Sequence, residues 1–112
     1  MTKYITISQM ALTKDFRETV QARVRDDQKF RRGVLRDAIE SLLAGEAALG
    51  REILRDFINA TVGFPTLAEQ TGIHAKTLHQ MFGPRGNPTA ANLFKILACL
   101  QAHEGVHLQV VA

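Results

Sequence analysis

Apolar side chains recur at helical spacing over the first half of the chain. Three groups follow one another at spacings of three and four: Phe16, Val20 and Val24; then Phe30, Val34, Leu35, Ala38, Ile39, Leu42 and Leu43; then Leu49, Ile53, Leu54, Phe57 and Ile58. Such spacing places each group on one face of an α-helix. Thr13 is a suitable N-cap for the first helix, Asp26 or Asp27 for the second, and Gly45 is a suitable end for the second.

The second half has shorter helices, separated by glycine and proline. Gly63 and Pro65 interrupt the third helix, and residues 66–69 (TLAE) have the pattern of a capping box that opens a fourth. Gly72 follows almost at once and can take a positive φ that turns the chain sharply. The spacing predicts a fifth helix after this turn, over residues 75–82.

The last helix and the two chain ends complete the pattern. Asn87 is a suitable N-cap and Pro88 a suitable first residue for the last helix. Its apolar residues are Leu93, Ile96, Leu97 and Leu100. Residues 4–8 and 106–111 alternate between apolar and polar side chains, which predicts short terminal strands, or an arm at the N-terminus. The expected fold is therefore mainly α, with one or two short terminal β-strands.

Residue types at fixed offsets fit a helix-turn-helix, in which two helices cross steeply through a tight turn. Ala68 is the small residue where the helices meet, Gly72 lies four positions later in the turn, and Ile73, Leu78 and Met81 can hold the second helix down. The alternative is two ordinary short helices at a bend. We expect one compact domain, in which the arm and helices of the first 63 residues pack on the helix-turn-helix and C-terminal strand of residues 64–112.

Charge is distributed unevenly between these two parts. The formal net charge of +3 favours an anionic partner. Residues 1–63 contain 11 Lys and Arg against 9 Asp and Glu, whereas residues 64–112 contain three against two. The helix-turn-helix is therefore not a basic patch, and a monomer is expected to bind an anion weakly. The mixed charges of residues 14–44 are typical of a solvated face, and a partner-binding surface is the alternative.

The sequence lacks the patterns of an enzyme, a metal site or a membrane protein. Cys99 and His103 lie four apart, but two ligands make no complete metal site without His74 or His107. Neither serine lies in a nucleophile motif, and there is no glycine-rich phosphate loop. A single cysteine excludes an internal disulfide. No apolar run approaches a membrane span, and the first residues lack a signal-peptide pattern. We therefore expect a cytoplasmic protein with no catalytic, metal or cofactor site.

Four segments carry a resemblance to a known family: FRRGVLRDAIESLL, ILRDFINATVGFPTLAEQTGI, TLHQMFGPRGNPTAANLFKILACL and HLQV. Within them, residues 66–100 resemble the lambda-repressor/Cro-like (Xre-type) helix-turn-helix. The wider match, residues 27–111, is similar to the addiction-module antidote family of small antitoxins, and GNPT before the last helix is its most distinctive feature. The resemblance implies a lambda-repressor-like helix-turn-helix bundle with extra N-terminal helices. His74 and His79 depart from the residue types usual in the family.

The resemblance also implies a function. It implies a bacterial transcriptional regulator that binds double-stranded operator DNA as a homodimer and represses its own operon. It further implies a protein partner, a RelE-like ribonuclease toxin that the antitoxin neutralises. Two other functions stay open: a protein-interaction module that holds a toxin or other partner with little DNA binding, and an orphan regulator that has lost its toxin. No membrane partner is expected.

The second helix of this motif lies in the major groove, where its early outward residues contact base edges. Those positions hold Ala75, Lys76, Thr77, His79 and Gln80. Lys76 can donate to guanine, the Gln80 amide can pair with adenine, and Ala75 can contact a thymine methyl. The other candidates would contact the DNA backbone: Thr66, Arg85, Asn87 and Thr89. Each position is also compatible with an ordinary solvated surface, and His74 with a simple helix cap.

Overall fold

The computed structural model describes residues 14–112, which contain six α-helices. In chain order they are α1 Lys14–Asp26, α2 Gln28–Leu43, α3 Ala47–Ala60, α4 Phe64–Thr71, α5 Ala75–Met81 and α6 Ala90–Glu104. The prediction of a mainly α fold is confirmed. The predicted N-terminal strand or arm and the predicted cap Thr13 lie outside the described residues.

The chain divides into two compact units, Met1–Thr61 and Val62–Ala112. The first contains α1 to α3 and the second contains α4 to α6. This division lies close to the predicted boundary between residues 63 and 64. The packing of both parts into one domain stays a prediction.

The first unit is built around the contact between α2 and α3. The predicted apolar faces supply its buried side chains, which include Val34, Leu35, Ala38, Ile53, Leu54, Phe57 and Ile58. The helices lie so close that a Cβ on Gly50 would come within 2.6 Å of the Leu42 side chain. Leu43, the last residue of α2, is 67% exposed. The predicted apolar face of α2 was therefore one residue too long.

Asp27, rather than Asp26, caps α2. Its carboxylate accepts a hydrogen bond from the Phe30 N–H at 3.0 Å. This bond holds the pKa of Asp27 below its usual value, and the nearby Arg23 acts in the same direction. At the other end of α2, Gly45 takes a positive φ of 84°, so the predicted glycine stop is confirmed.

The start of α4 differs from the prediction. The helix begins at Phe64, with Gly63 before it at φ 80° and Pro65 in its first turn. The predicted capping box at residues 66–69 is therefore wrong. Proline lacks the N–H that a first turn leaves unpaired, and its ring already has the helical φ. Thr66 consequently lies inside the first turn, with an exposed side chain.

The start of α6 also differs from the prediction. Thr89 is the N-cap, and its hydroxyl accepts a hydrogen bond from the Asn92 N–H at 3.1 Å. The predicted cap Asn87 and first helical residue Pro88 instead lie in the preceding loop. Gly86 lies against the end of α5, and Asn87 and Pro88 form the loop that connects it to Thr89 at the start of α6.

The predicted C-terminal strand is wrong. Residues 106–111 form neither helix nor strand, and no other strand is present between residues 14 and 112 to pair with them. The chain instead turns back on Gln101: the Val106 N–H donates to its carbonyl at 3.0 Å, and the Leu108 N–H donates to its side-chain oxygen at 2.8 Å. Val110 and Val111 are 82% and 86% exposed.

Candidate nucleic-acid interface

The turn between α4 and α5 is held by three local hydrogen bonds. Gly72 has a φ of 75°, and its N–H donates to the Ala68 carbonyl at 2.9 Å. The predicted glycine turn is thus confirmed. Thr71 is buried; its hydroxyl donates to the Leu67 carbonyl at 2.7 Å and accepts from the Ile73 N–H at 3.3 Å. These bonds orient the chain that enters α5.

His74 caps α5 with its imidazole. The Nδ1 atom accepts a hydrogen bond from the Lys76 N–H at 3.2 Å. A histidine can accept only through an unprotonated ring nitrogen, so the cap requires that form of the ring. The role of His74 as a helix cap is confirmed.

The inner side of α5 is buried as predicted. Leu78 and Met81 are buried, together with Phe64 and Leu67 of α4. Ile73 is half-buried. These side chains hold the short α5 in place, because a helix of only seven residues has little stability of its own. Of the three apolar positions predicted to hold this helix, Leu78 and Met81 are therefore buried and Ile73 is partly so.

The outer side of α5 carries polar side chains. Lys76, Thr77 and Gln80 are exposed and share one face at helical spacing. None of their side chains has a hydrogen bond or ion pair within the described residues. Ala75, the first residue of α5, is half-buried. This face is available to an external ligand.

His79 has a different environment from its neighbours. Although the residue is exposed, its ring lies against Phe64, with 4.5 Å between centroids and a 32° angle between planes. Phe64 in turn contacts Phe82 edge to face at 5.9 Å. Part of the His79 ring is therefore committed to the packing of α4 on α5. Helical spacing could not predict this contact, because Phe64 and His79 lie far apart in the chain.

The loop after α5 is a tight turn that presents Arg85. The Gly86 N–H donates to the Gly83 carbonyl at 2.9 Å, and the Gly83 N–H donates to the Gln80 carbonyl at 3.2 Å. A Cβ on Gly86 would overlap the Met81 carbonyl and lie 2.7 Å from the Gln80 carbonyl oxygen. Glycine is therefore required at this position. Arg85 is exposed, and its side chain has no partner within the described residues.

The remaining residues that were predicted to contact the DNA backbone lie at or just before the starts of α4 and α6. Thr66 is exposed in the first turn of α4, one residue before the Leu67 N–H that donates to the Gly63 carbonyl at 3.1 Å. Asn87 and Thr89 are exposed before α6, and the Thr89 hydroxyl is occupied as its N-cap. First-turn N–H groups of a helix are suited to phosphate oxygens.

Other chemistry is sparse in the described residues. Within residues 14–112, no three His, Cys, Asp or Glu side chains lie together as a metal site would require. Cys99 is half-buried and donates a hydrogen bond to the Gln70 side-chain oxygen at 3.2 Å. Burial raises the pKa of its thiol, which lowers its reactivity. Between residues 14 and 112, no helix is long and apolar enough to cross a membrane.

Comparison of the chain with protein-family models, curated proteins and solved structures gave no match. The resemblance to the lambda-repressor-like helix-turn-helix and to the addiction-module antidotes therefore stays a prediction from the sequence. The local geometry of α4, α5 and the following loop carries the functional argument.

Proposed function

We propose that the unit Val62–Ala112 binds double-stranded DNA, with α5 in the major groove, and that the protein is a transcriptional regulator of the antitoxin type. The observation that carries this proposal is the division of α5 into two sides. Leu78 and Met81 are buried, while Lys76, Thr77 and Gln80 are exposed without partners in the described residues. A short polar helix that its own unit holds firmly is what reading base edges requires.

Base reading and backbone binding fall to different residues in this proposal. Lys76 and Gln80 can hydrogen-bond to guanine and adenine edges. Arg85 lies in the rigid turn that follows, where its guanidinium can pair with a phosphate. Thr66, Asn87 and Thr89 lie near the helix starts that would approach the DNA backbone. His79 is a weaker candidate, because its ring already contacts Phe64.

The small charge of this part of the chain leads us to propose a homodimer as the DNA-binding species. Residues 64–112 contain three Lys and Arg against two Asp and Glu. Phosphate neutralisation supplies most of the salt-dependent affinity for DNA, so one copy, which can neutralise few phosphates, should bind weakly. Two copies double the phosphate contacts and match a site with two half-sites.

The test compares binding to the DNA upstream of the gene with binding to a scrambled fragment of equal length, by fluorescence anisotropy over a salt series. The wild-type chain should prefer the upstream fragment. Lys76→Ala together with Gln80→Ala should reduce this preference by about 30-fold or more, since two base contacts contribute at least about 2 kcal/mol.

Lys95→Ala is the matched control, because Lys95 is exposed outside α5 and carries the same charge as Lys76. It should leave the ratio between the two fragments unchanged. Equal affinity of the wild-type chain for both fragments, or an unchanged ratio in the double variant, would reject the proposed role of α5.

A second candidate function is a protein-interaction module that neutralises a toxin. The favouring observation is the density of charge in the first 63 residues, with 11 Lys and Arg and 9 Asp and Glu. Arg36 and Glu40 lie four apart and exposed on α2. Co-purification with the product of a neighbouring toxin gene would support this function. A chain that prefers its upstream DNA but never co-purifies with that product would be an orphan regulator.

A further inference from the structure

The outer side of α6 carries a row of apolar residues that the described structure leaves uncovered. The row consists of Ala90, Phe94, Ala98 and Ala102, four residues apart and all exposed. Phe94 is 65% exposed. The buried residues Ile96, Leu97 and Leu100 lie on the other side of the helix. We call these four residues the α6 row.

The α6 row contains both a projection and a notch. Phe94 is a large side chain that extends from the helix. Ala98 and Ala102, one and two turns later, are too small to fill the surface beside it. Residues spaced by four form the ridge that interdigitates in the commonest class of helix packing. One helix face therefore carries the two complementary halves of a contact.

We propose that the α6 row is the surface through which two copies of this chain associate. A two-fold interface uses the same patch on both chains, so that patch must be complementary to itself. With the helices antiparallel and the axis near Ala98, each Phe94 packs between Ala98 and Ala102 of the other copy. The row itself contains no charged side chain, and the exposed Lys95 lies beside it.

The size of the α6 row favours a second copy over a different protein. The helix has 15 residues, which makes it about 22 Å long, and the row is one side chain wide. Two such rows bury far less than the roughly 1,200 Å² of a stable interface. A stable complex with another protein would need several large anchors, and the row has only Phe94. A weak contact suffices where DNA holds both copies close together.

This inference rests on the homodimer proposed above and names its surface. The association it predicts is weak in solution and strengthens when two copies occupy adjacent half-sites. The three exposed cations of the second unit, Lys76, Arg85 and Lys95, are then present twice in one complex. Dimer formation through α6 leaves the outer face of α5 to the DNA.

The test is disulfide trapping of the full chain without DNA. Cys99→Ser removes the native thiol and keeps a donor for Gln70. Ala98→Cys is then added. Helix axes about 8–10 Å apart, with Cα atoms about 2.3 Å from each axis, bring facing Cα atoms within about 3–6 Å. That range overlaps the roughly 4.4–6.8 Å that a disulfide needs, so mild oxidation should trap a covalent dimer.

Ala102→Cys in the same Cys99→Ser background is the matched control. It also replaces an exposed alanine of the α6 row. In the proposed arrangement the two copies of this position lie at least about 12 Å apart along the helices. Its disulfide dimer should therefore form at a rate at least about tenfold lower. Adding Phe94→Ala to the Ala98→Cys chain should lower trapping to the same level, with circular dichroism confirming that each variant is folded.

Each outcome decides the inference. Preferential trapping through position 98, lost with Phe94→Ala, supports it. No trapping at position 98, as expected if a different protein covers the row, rejects it, and so does equal or faster trapping at position 102. Anisotropy on the upstream DNA is read separately. If the chain prefers this DNA but is not trapped as a dimer, the proposed function stands and the α6 row is rejected as the dimer surface. If the chain is trapped but shows no DNA preference, the α6 row stands and the proposed function is rejected.

Discussion

Arg23 and Arg31 of the unit Met1–Thr61 contact their own chain, whereas the Lys and Arg side chains of Val62–Ala112 are exposed. The Arg23 guanidinium lies 4.6 Å from the centre of the Phe30 ring and 3.7 Å from the Asp27 carboxylate. Arg31 donates to the carbonyls of Val24 and Arg25 at 3.2 and 3.0 Å. Part of the charge in the first unit is therefore engaged within the chain, so the count of charges alone overstates what a partner could contact.

In the second unit the few cations are uncommitted. Lys76, Arg85 and Lys95 are exposed, and none has a hydrogen bond or ion pair from its side chain within the described residues. The second unit also depends on backbone features, the positive φ of Gly72 and the close approach of Gly86 to α5, as the first unit does at Gly45 and Gly50. The availability of charge, more than its amount, therefore separates a candidate ligand surface from a structural one.

The largest effect is expected from Gly86→Ala. The new Cβ would overlap the Met81 carbonyl and lie 2.7 Å from the Gln80 carbonyl oxygen, and backbone atoms cannot move aside as a flexible side chain can. We expect the free energy of unfolding to fall by about 3 kcal/mol, measured by urea denaturation. The loop that presents Arg85 should shift, so binding to the upstream DNA should also weaken.

Gly83→Ala is the control within the same loop. A Cβ there would lie 3.4 Å from the Gln80 carbonyl oxygen, which is close to ordinary contact. Its stability should stay near that of the wild-type chain. If both variants lost the same stability, the special role of Gly86 would be wrong, and the second unit would not depend on this single backbone contact.

A moderate effect is expected from Arg85→Ala on DNA binding. Loss of one phosphate contact per chain should weaken binding to upstream and scrambled fragments equally, and should lower the salt slope by about 1 per chain. Arg36→Ala, which removes an exposed arginine of the first unit, should leave both quantities unchanged. The reverse result would mean that the charge-rich unit holds the DNA, which would overturn the comparison.

The smallest effect is expected from Asp27→Asn. It would be measured as the change in thermal stability with pH. The Phe30 N–H lowers the pKa of Asp27 in the folded chain. A lowered pKa means that the carboxylate stabilises the fold above the ordinary carboxyl range, and that this contribution disappears as the pH falls through the lowered pKa. Asparagine caps helices without titrating, so the variant should lose less stability in acid than the wild-type chain.

Asp26→Asn separates capping from charge. Asp26 adjoins the cap and lies 3.6 Å from the Arg25 guanidinium, but it caps no helix. This variant should retain the acid-induced loss of stability. Identical pH profiles for the wild-type chain and Asp27→Asn would show that the cap does not contribute to the pH dependence of the first unit.

Much of the candidate interface follows from short-range sequence patterns. The positive φ of Gly72 and the outward positions of Lys76 and Gln80 follow from residue type and helical spacing, and the structure has them as predicted. The starts of α4 and α6 were mispredicted, because several nearby residues were suitable as caps. In the structure, α4 begins with Pro65 in its first turn, and Thr89 rather than Asn87 caps α6.

Most of the helices and their buried faces could be predicted from the sequence, because the spacing of apolar residues reports on each helix separately. Tertiary structure alone decided what depends on contacts distant in sequence. The His79 ring lies on Phe64, and Phe94 stays 65% exposed although it is apolar. The C-terminal segment has no strand to pair with among residues 14–112. Alternation can predict a strand, but its hydrogen bonds need a second strand that no local pattern supplies.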